Sequence, residues 1–244
     1  MPNERIFLSM IIPAYNEEKR IEKTLNEILS FVRRCSYSHE VIVVDDGSTD
    51  RTLDLLKDIQ NQHNSLKIIH YQPNQGKGYA VKKGMLNAHG KYHFFCDADL
   101  STPIDELGLF ISHLQNGCDV VIGSRKMENA EVRVHQPFIR RQMGQVFFFL
   151  AKYLVAGNIS DITCGFKCFR GNVARDIFSR QQLHDWSFDA EILFIARKYG
   201  YKIKEVPVCW SDVAGSKVKL LRDSIRAFRG LLKIRFDDLK GKYN

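Results

Sequence analysis

The order of apolar and polar positions divides the chain into two unlike halves. In the first, short runs rich in β-branched and aromatic residues alternate with stretches of helical period. Ile6 to Ile12, Glu40 to Val44, Leu66 to Tyr71, Tyr92 to Cys96 and Asp119 to Ile122 read as strands. Between them, Glu17 to Arg33 places Ile21, Leu25, Ile28 and Val32 on one helical face, and Thr52 to Ile59 and Ala80 to Ala88 supply two further crossovers. Strand, helix, strand at this spacing implies a parallel sheet. The run Val41-Ile42-Val43-Val44 suits a strand covered on both faces. The expected fold is therefore α/β: a Rossmann-like, mostly parallel sheet with helices on both faces.

The second half is less regular. A break over 123–136 leads into an apolar, aromatic helix at about Pro137 to Ala156, then a short strand near Phe166 to Phe169 and a helix near Phe188 to Lys198. A strand over Lys202 to Trp210 precedes a basic C-terminal helix. No Pro-, Gly- or Ser-rich linker separates the halves, so one domain is expected over 1–244. Within it, 1–123 and 124–244 form two functional halves.

In doubly wound sheets ligands bind beyond the carboxyl ends of the strands. Four polar clusters fall there: Pro13 to Glu17, Asp45 to Ser48, Gln72 to Gly78, and Asp97 to Asp99. Asp97 and Asp99, at i and i+2 after an apolar strand, can approach one point. That suits Mg²⁺ or Mn²⁺, which takes one or two protein carboxylates and completes its shell with water and substrate phosphate. A turn or helix cap is the other reading of such a pair. Asp45 and Asp46 read either as turn and cap residues or as acceptors for a nucleobase N–H or a ribose hydroxyl.

Composition narrows the field. The chain has 244 residues, 44% hydrophobic and 26% charged, too apolar for disorder and large enough to bury its own core without staples. Six cysteines contain no C-x-x-C pair and follow no signal peptide, so reduced, cytosolic thiols are expected. The longest apolar run, Val146 to Ala151, is far too short to span a bilayer. Gly76-Lys77-Gly78 lacks both the dinucleotide-binding spacing and the Walker sequence.

Four motifs, Pro13-Ala-Tyr-Asn-Glu17, Val44-Asp-Asp-Gly-Ser-Thr-Asp50, Asn74-Gln-Gly-Lys-Gly78 and Asp97-Ala-Asp-Leu100, resemble glycosyltransferase family 2 in order and approximate spacing. Gly123-Ser-Arg125, Asp161 to Lys167, Phe188-Asp-Ala-Glu191, Val206 to Trp210 and Gly215-Ser-Lys217 are similar to its polyprenyl-phosphate branch, closest to the dolichyl-phosphate β-glucosyltransferases. The resemblance covers nearly the whole chain. It implies the nucleotide-sugar-binding GT-A fold, with Pro13, Tyr15, Glu17 and Asp45 toward the nucleoside and Asp97 and Asp99 toward diphosphate and metal. Asp46 and Lys77, in the same motifs, are counted with the donor-binding residues. The implied partners are a nucleotide sugar, UDP-glucose, and a polyprenyl phosphate.

The acceptor half adds cations. Arg125, Lys167 and Lys217 are candidates for the acceptor phosphate, because fixed cations offset repulsion between anions. Asp189 and Asp161 are candidates to take a proton from a hydroxyl acceptor, or else to orient Lys167 or Lys217. Trp186, Trp210 and Phe188 either line a sugar pocket or belong to the core.

The charge of +8 is concentrated late: 213–244 holds nine Lys/Arg against three Asp. There Leu221, Ile225, Phe228, Leu232, Phe236 and Leu239 recur every three or four residues beside Arg222, Arg226, Arg229 and Lys233. From Val132 to Ser160 no acidic residue occurs, while Arg133, Arg140, Arg141 and Lys152 flank Phe147-Phe148-Phe149. Such faces pack on a sheet or lie on a membrane surface. The expectation is a cytoplasmic enzyme in peripheral membrane contact, with no nucleic acid partner.

Overall fold

The computed structural model describes residues 6–35, 37–128, 130, 151–211 and 220–244. Lys217, the Gly215-Ser-Lys217 motif, Arg133, Arg140, Arg141 and the Phe147–Phe149 cluster lie outside the described residues, as do the side chains of Lys152, Arg222 and Arg226. Seven strands form one sheet: β1 Leu8–Ala14, β2 His39–Asp45, β3 Leu66–His70, β4 Tyr92–Cys96, β5 Val120–Ser124, β6 Phe166–Arg170 and β7 Ile203–Pro207, in the order β3-β2-β1-β4-β6-β5-β7. Every pairing is parallel except those of β6, which runs antiparallel to both β4 and β5. The mostly parallel sheet expected from the alternation is present.

Neighbouring residues of one strand enter different cores, as the period of two requires. Ile11, Ile42, Val44 and Phe95 pack on one face, under α3 Lys77–Leu86, α5 Gly171–Arg180, α6 Phe188–Lys198 and α7 Leu220–Leu239. Met10, Val41, Val43 and Phe94 pack on the other, under α1 Ile21–Arg34 and α4 Leu107–Gln115. Helix α2 Thr52–Gln60 packs beside β3 and α1. Both faces are covered, as the apolar strands predict.

Several boundaries move for local reasons. Helix α1 begins at Ile21 instead of Glu17, because Asn16 and Glu17 are bonded to the 48–52 loop. Helix α3 begins at Lys77 instead of Ala80, because the His184 carbonyl accepts from the Gly78 N–H at 2.7 Å and stabilises an earlier turn. Strand β7 stops at Pro207, which has no N–H to continue a ladder. Helices α4 and α5 are additional to the expected elements. Of the helix expected over Pro137 to Ala156, the described part is a π-helical turn, Lys152–Ala156, packed against α6 and α7.

Reversal of β6 builds the site. An antiparallel strand starts where its parallel neighbours end, so Phe166 lies opposite Cys96 and Lys167 opposite Phe95. The 161–165 segment is thereby delivered to the carboxyl end of β4, beside Asp97.

Candidate active site

The loops leaving β1 and β2 are sewn to each other. Asn16, at φ 53°, accepts the Thr49 N–H on Oδ1 at 2.7 Å, and its own N–H donates to Ser48 Oγ at 2.9 Å. The Glu17 N–H donates to Thr52 Oγ1 at 2.8 Å. Pro13 is buried in β1, Tyr15 is exposed at the loop tip, and Glu17 pairs with Arg20 at 2.6 Å. Asp45 is buried, accepting from the Ser48 hydroxyl on one oxygen and lying 2.7 Å from His70 Nδ1 on the other.

Asp46 departs from the expected role. Its carboxylate accepts from Asn74 Nδ2 at 2.7 Å and from the N–H groups of Gln75 at 2.7 Å and Gly76 at 2.9 Å. A buried carboxylate with both oxygens filled by its own loop shapes that loop. Asp46 thus fixes the turn that presents Lys77 at the start of α3.

Asp97 and Asp99 lie on the turn off β4, tied to α1 by the Thr24 hydroxyl, which donates to the Ala98 carbonyl at 2.6 Å. Asp99 Oδ1 accepts from the Ser101 N–H at 3.0 Å and hydroxyl at 2.8 Å. Asp97 Oδ1 pairs with Lys77 Nζ at 2.5 Å. A Cβ at Gly165 would fall 2.2 Å from Asp97 Oδ2, so glycine is what lets the Asp97 carboxylate hold this position. Leu100, Cys164, Phe166 and Trp210 help close a small cavity around the two aspartates.

This donor set fits a hard divalent cation. It offers carboxylate oxygens, a small cavity beside them, and, among the described residues, no third His, Cys, Asp or Glu to complete a protein cage. Mg²⁺ or Mn²⁺ would fill its remaining positions with water and phosphate. Burial works to lower the Lys77 pKa, but Asp97, Asp189 and Asp99 overcome it and hold the ammonium charged above its ordinary range. The rings of Trp186 and Phe188 lie 5.0 and 5.8 Å from that ammonium. Burial pushes the Cys164 thiol up to about 11 and that of Cys96 well above its usual value, so neither is a thiolate near neutral pH.

The candidates of the acceptor half are already paired with one another. Arg125 Nε and Nη2 donate to the two Asp161 oxygens at 2.7 and 2.8 Å, and the Arg125 N–H adds a third bond at 3.0 Å. Burial favours the protonated Asp161 acid, yet these bonds prevail and hold its pKa down to about 2. Asp161 as a proton acceptor is therefore corrected, since a carboxyl this acidic takes no proton near neutral pH. Arg125 also reaches Thr163 Oγ1 at 2.9 Å and lies 5.3 Å over the Trp210 ring, so its guanidinium is largely committed.

Lys167 is fully buried and donates to Asp189 at 2.5 Å and to the Cys164 carbonyl at 2.6 Å. Direct phosphate binding by Lys167 is corrected on the same ground: no part of it reaches solvent. Asp189 orients Lys167, the second of its two expected roles. Glu191 is buried and accepts from the Gln182 and Leu183 N–H groups and the Tyr243 hydroxyl. Trp186 is 47% exposed and Trp210 lines the cavity, so these two stand at the site, whereas Phe188 is core. The sequence reading did not single out Gly165 or Glu205. The latter accepts from the Ser160 and Asp161 N–H groups and so shapes the loop carrying Asp161.

Comparison with known proteins bears on the family and the fold. Residues 9–178 match the model described as Glycosyl transferase family 2. A dolichyl-phosphate beta-glucosyltransferase of Saccharomyces cerevisiae is 36% identical over 99% of this chain and 78% of its own length. One from Dictyostelium discoideum is 35% identical over 98% of this chain and 77% of its own. In fold, the chain is similar to glucosyl-3-phosphoglycerate synthase from Mycobacterium tuberculosis, solved with Mn²⁺, UDP-glucose and phosphoglyceric acid. That likeness has a TM-score of 0.66 at 17% identity, covering 95% of this chain and 80% of the other.

Proposed function

The chain belongs to glycosyl transferase family 2, and from that premise we propose that it moves a hexose, glucose from UDP-glucose, onto a polyprenyl phosphate of the dolichyl type at the cytoplasmic face of a membrane. One observation carries the choice of acceptor: Asp161 and Asp189, the two candidates for a base in the acceptor half, are both consumed in buried ion pairs. A hydroxyl acceptor must lose a proton as it attacks. A lipid phosphate is already ionised at neutral pH, and positioning with electrostatic stabilisation suffices. The names of the relatives support the same acceptor.

The reaction is a single displacement at the anomeric carbon, the phosphate oxygen attacking opposite the departing nucleoside diphosphate, so configuration inverts. Asp97 and Asp99 would hold the divalent ion, which when bound neutralises charge on the leaving diphosphate. Lys77 adds a cation beside them, Trp186 shields it, and Gly165 makes room for the Asp97 carboxylate. Asp46 holds Lys77 in place through the 74–76 turn.

Access to a lipid acceptor is supported by α7. Phe228, Leu232, Phe236 and Leu239 are exposed along one stripe, while Leu231 and Ile234 pack inward. Arg229, Lys233 and Lys240 flank the stripe, and Tyr153 is 80% exposed on the adjoining π-helical turn. No helix among the described residues is long and apolar enough to cross a membrane. An interfacial helix with basic flanks is the alternative means of docking on anionic lipid.

Transfer from radiolabelled UDP-glucose into organic-extractable polyprenyl phosphate, with GDP-mannose and UDP-N-acetylglucosamine in parallel, tests the reading. Chelator-sensitive label in the lipid phase from UDP-glucose is expected. Metal-dependent donor hydrolysis without lipid labelling would overturn the acceptor and point to a hydroxyl.

A further inference from the structure

We propose that Lys77 is an internal cation that neutralises Asp97 until a nucleoside diphosphate arrives, so that entry of free metal is opposed and metal and donor load together. The proposal rests on the metal reading given above. The Lys77 ammonium lies 2.5 Å from Asp97 Oδ1, its side chain is 13% exposed, and Trp186 and Phe188 cover it. Its backbone is pinned from both sides. Asp46 accepts the N–H groups of Gln75 and Gly76 just before it, and the His184 carbonyl accepts that of Gly78 just after.

A divalent ion on Asp97 with Lys77 still in contact would set two cations against one carboxylate, and their repulsion opposes metal entry. A diphosphate removes that conflict, because it accepts the ammonium as a new charge-assisted partner and gives the ion further oxygens. The flexible four-carbon stem lets the head transfer while the pinned backbone stays still. Asp46 is thus a positioning residue for the exchange, and Lys77 makes loading conditional on the diphosphate.

The experiment is Mn²⁺ binding to the whole chain at pH 7, read by electron paramagnetic resonance of free Mn²⁺, with and without UDP. Wild type is expected to bind Mn²⁺ weakly alone and far more tightly with UDP. Lys77→Met is expected to bind Mn²⁺ alone about tenfold or more tightly, the low end of what a neighbouring opposite charge does to a carboxylate's affinity for a proton. Lys77→Arg, which keeps the charge, should stay near wild type without nucleotide, and Asp97→Asn should lose the ion in both conditions. Thermal unfolding with and without Mn²⁺ checks that each variant is folded and reports binding independently. Should Lys77→Met fail to fold, Lys77→Gln is read in the same way. Equal nucleotide-free affinity in wild type and the neutral variant, with UDP still enhancing both, would overturn the role of Lys77 and leave the metal reading intact. Absence of Mn²⁺ binding in every protein, even with UDP, would overturn both.

Discussion

Two parts of this molecule set aspartates against cations, and they differ in what is left over. At the end of β4, Asp97 gives one oxygen to Lys77 and stays 36% exposed, with room for its other oxygen because residue 165 has no side chain. Near β5 and β6, Asp161 gives both oxygens to Arg125, and Lys167 and Asp189 are sealed at 0% and 4% side-chain exposure. Residue types are the same in both places. Chemistry needs a free lone pair within reach of a ligand; a saturated buried pair contributes architecture instead.

The contrast breaks most forcefully at Lys167. Lys167→Met strands the Asp189 carboxylate in the core, and losing one partner of a buried pair costs about 3–5 kcal/mol, read by urea unfolding. Adding Asp189→Leu should recover most of the loss; a double variant as unstable as the single would mean that the cost is packing and not charge. On the open side, Asp99→Ala is expected to lower turnover about 10²- to 10³-fold, the scale of removing one electrostatic stabiliser of the reaction, with the unfolding midpoint nearly unchanged. Full turnover in that variant would remove Asp99 from the chemistry.

A third kind of buried group sharpens the comparison. His93 on β4 is fully buried, and the Gly90 backbone beside it is the one weak hydrogen-bonding neighbour of its ring among the described residues. Burial, aided by the Arg175 charge, lowers its pKa from 6.5 to about 4. The unfolded chain then takes up a proton that the folded chain refuses, so stability is full above pH 6.5 and falls as the pH drops toward 4. Asp161 has the opposite partnership and a lower window: its contribution is present above pH 3.8 and is lost only as the pH falls toward 2. Replacing His93 with Leu should remove about 3 kcal/mol of the stability change between pH 7 and 4, seen in urea midpoints. The smallest effect is expected outside both sites. Arg229→Gln should weaken binding to phosphatidylserine vesicles by about 1 kcal/mol, a difference that added salt erases.

Much of the open side is legible in the sequence because its signals are local. Asp97 and Asp99 follow an apolar strand, and the order of strands and helices places that strand end at a ligand site. The closed side is not legible in the same way. Arg125 and Asp161 are 36 residues apart, and Lys167 and Asp189 are 22 apart. No periodicity says which cation meets which carboxylate, so free and spent residues look alike until the chain is folded. The direction of β6 is equally silent, since a five-residue strand reads the same whether it runs with or against its neighbours. Helix α7 is an intermediate case. The spacing of Phe228, Leu232, Phe236 and Leu239 is plain, yet only the packing of Leu231 and Ile234 reveals that this stripe is the outer one.

The place of β6 between β4 and β5 also constrains how the chain is made. When the ribosome has released β5, the strand that lies between it and β4 has not yet been synthesised, and the two facing edges remain open. The sheet closes only after residue 170 emerges, and the same event brings Gly165 to Asp97. Donor-side motifs written in the first hundred residues therefore wait, during translation, for a strand encoded well after them.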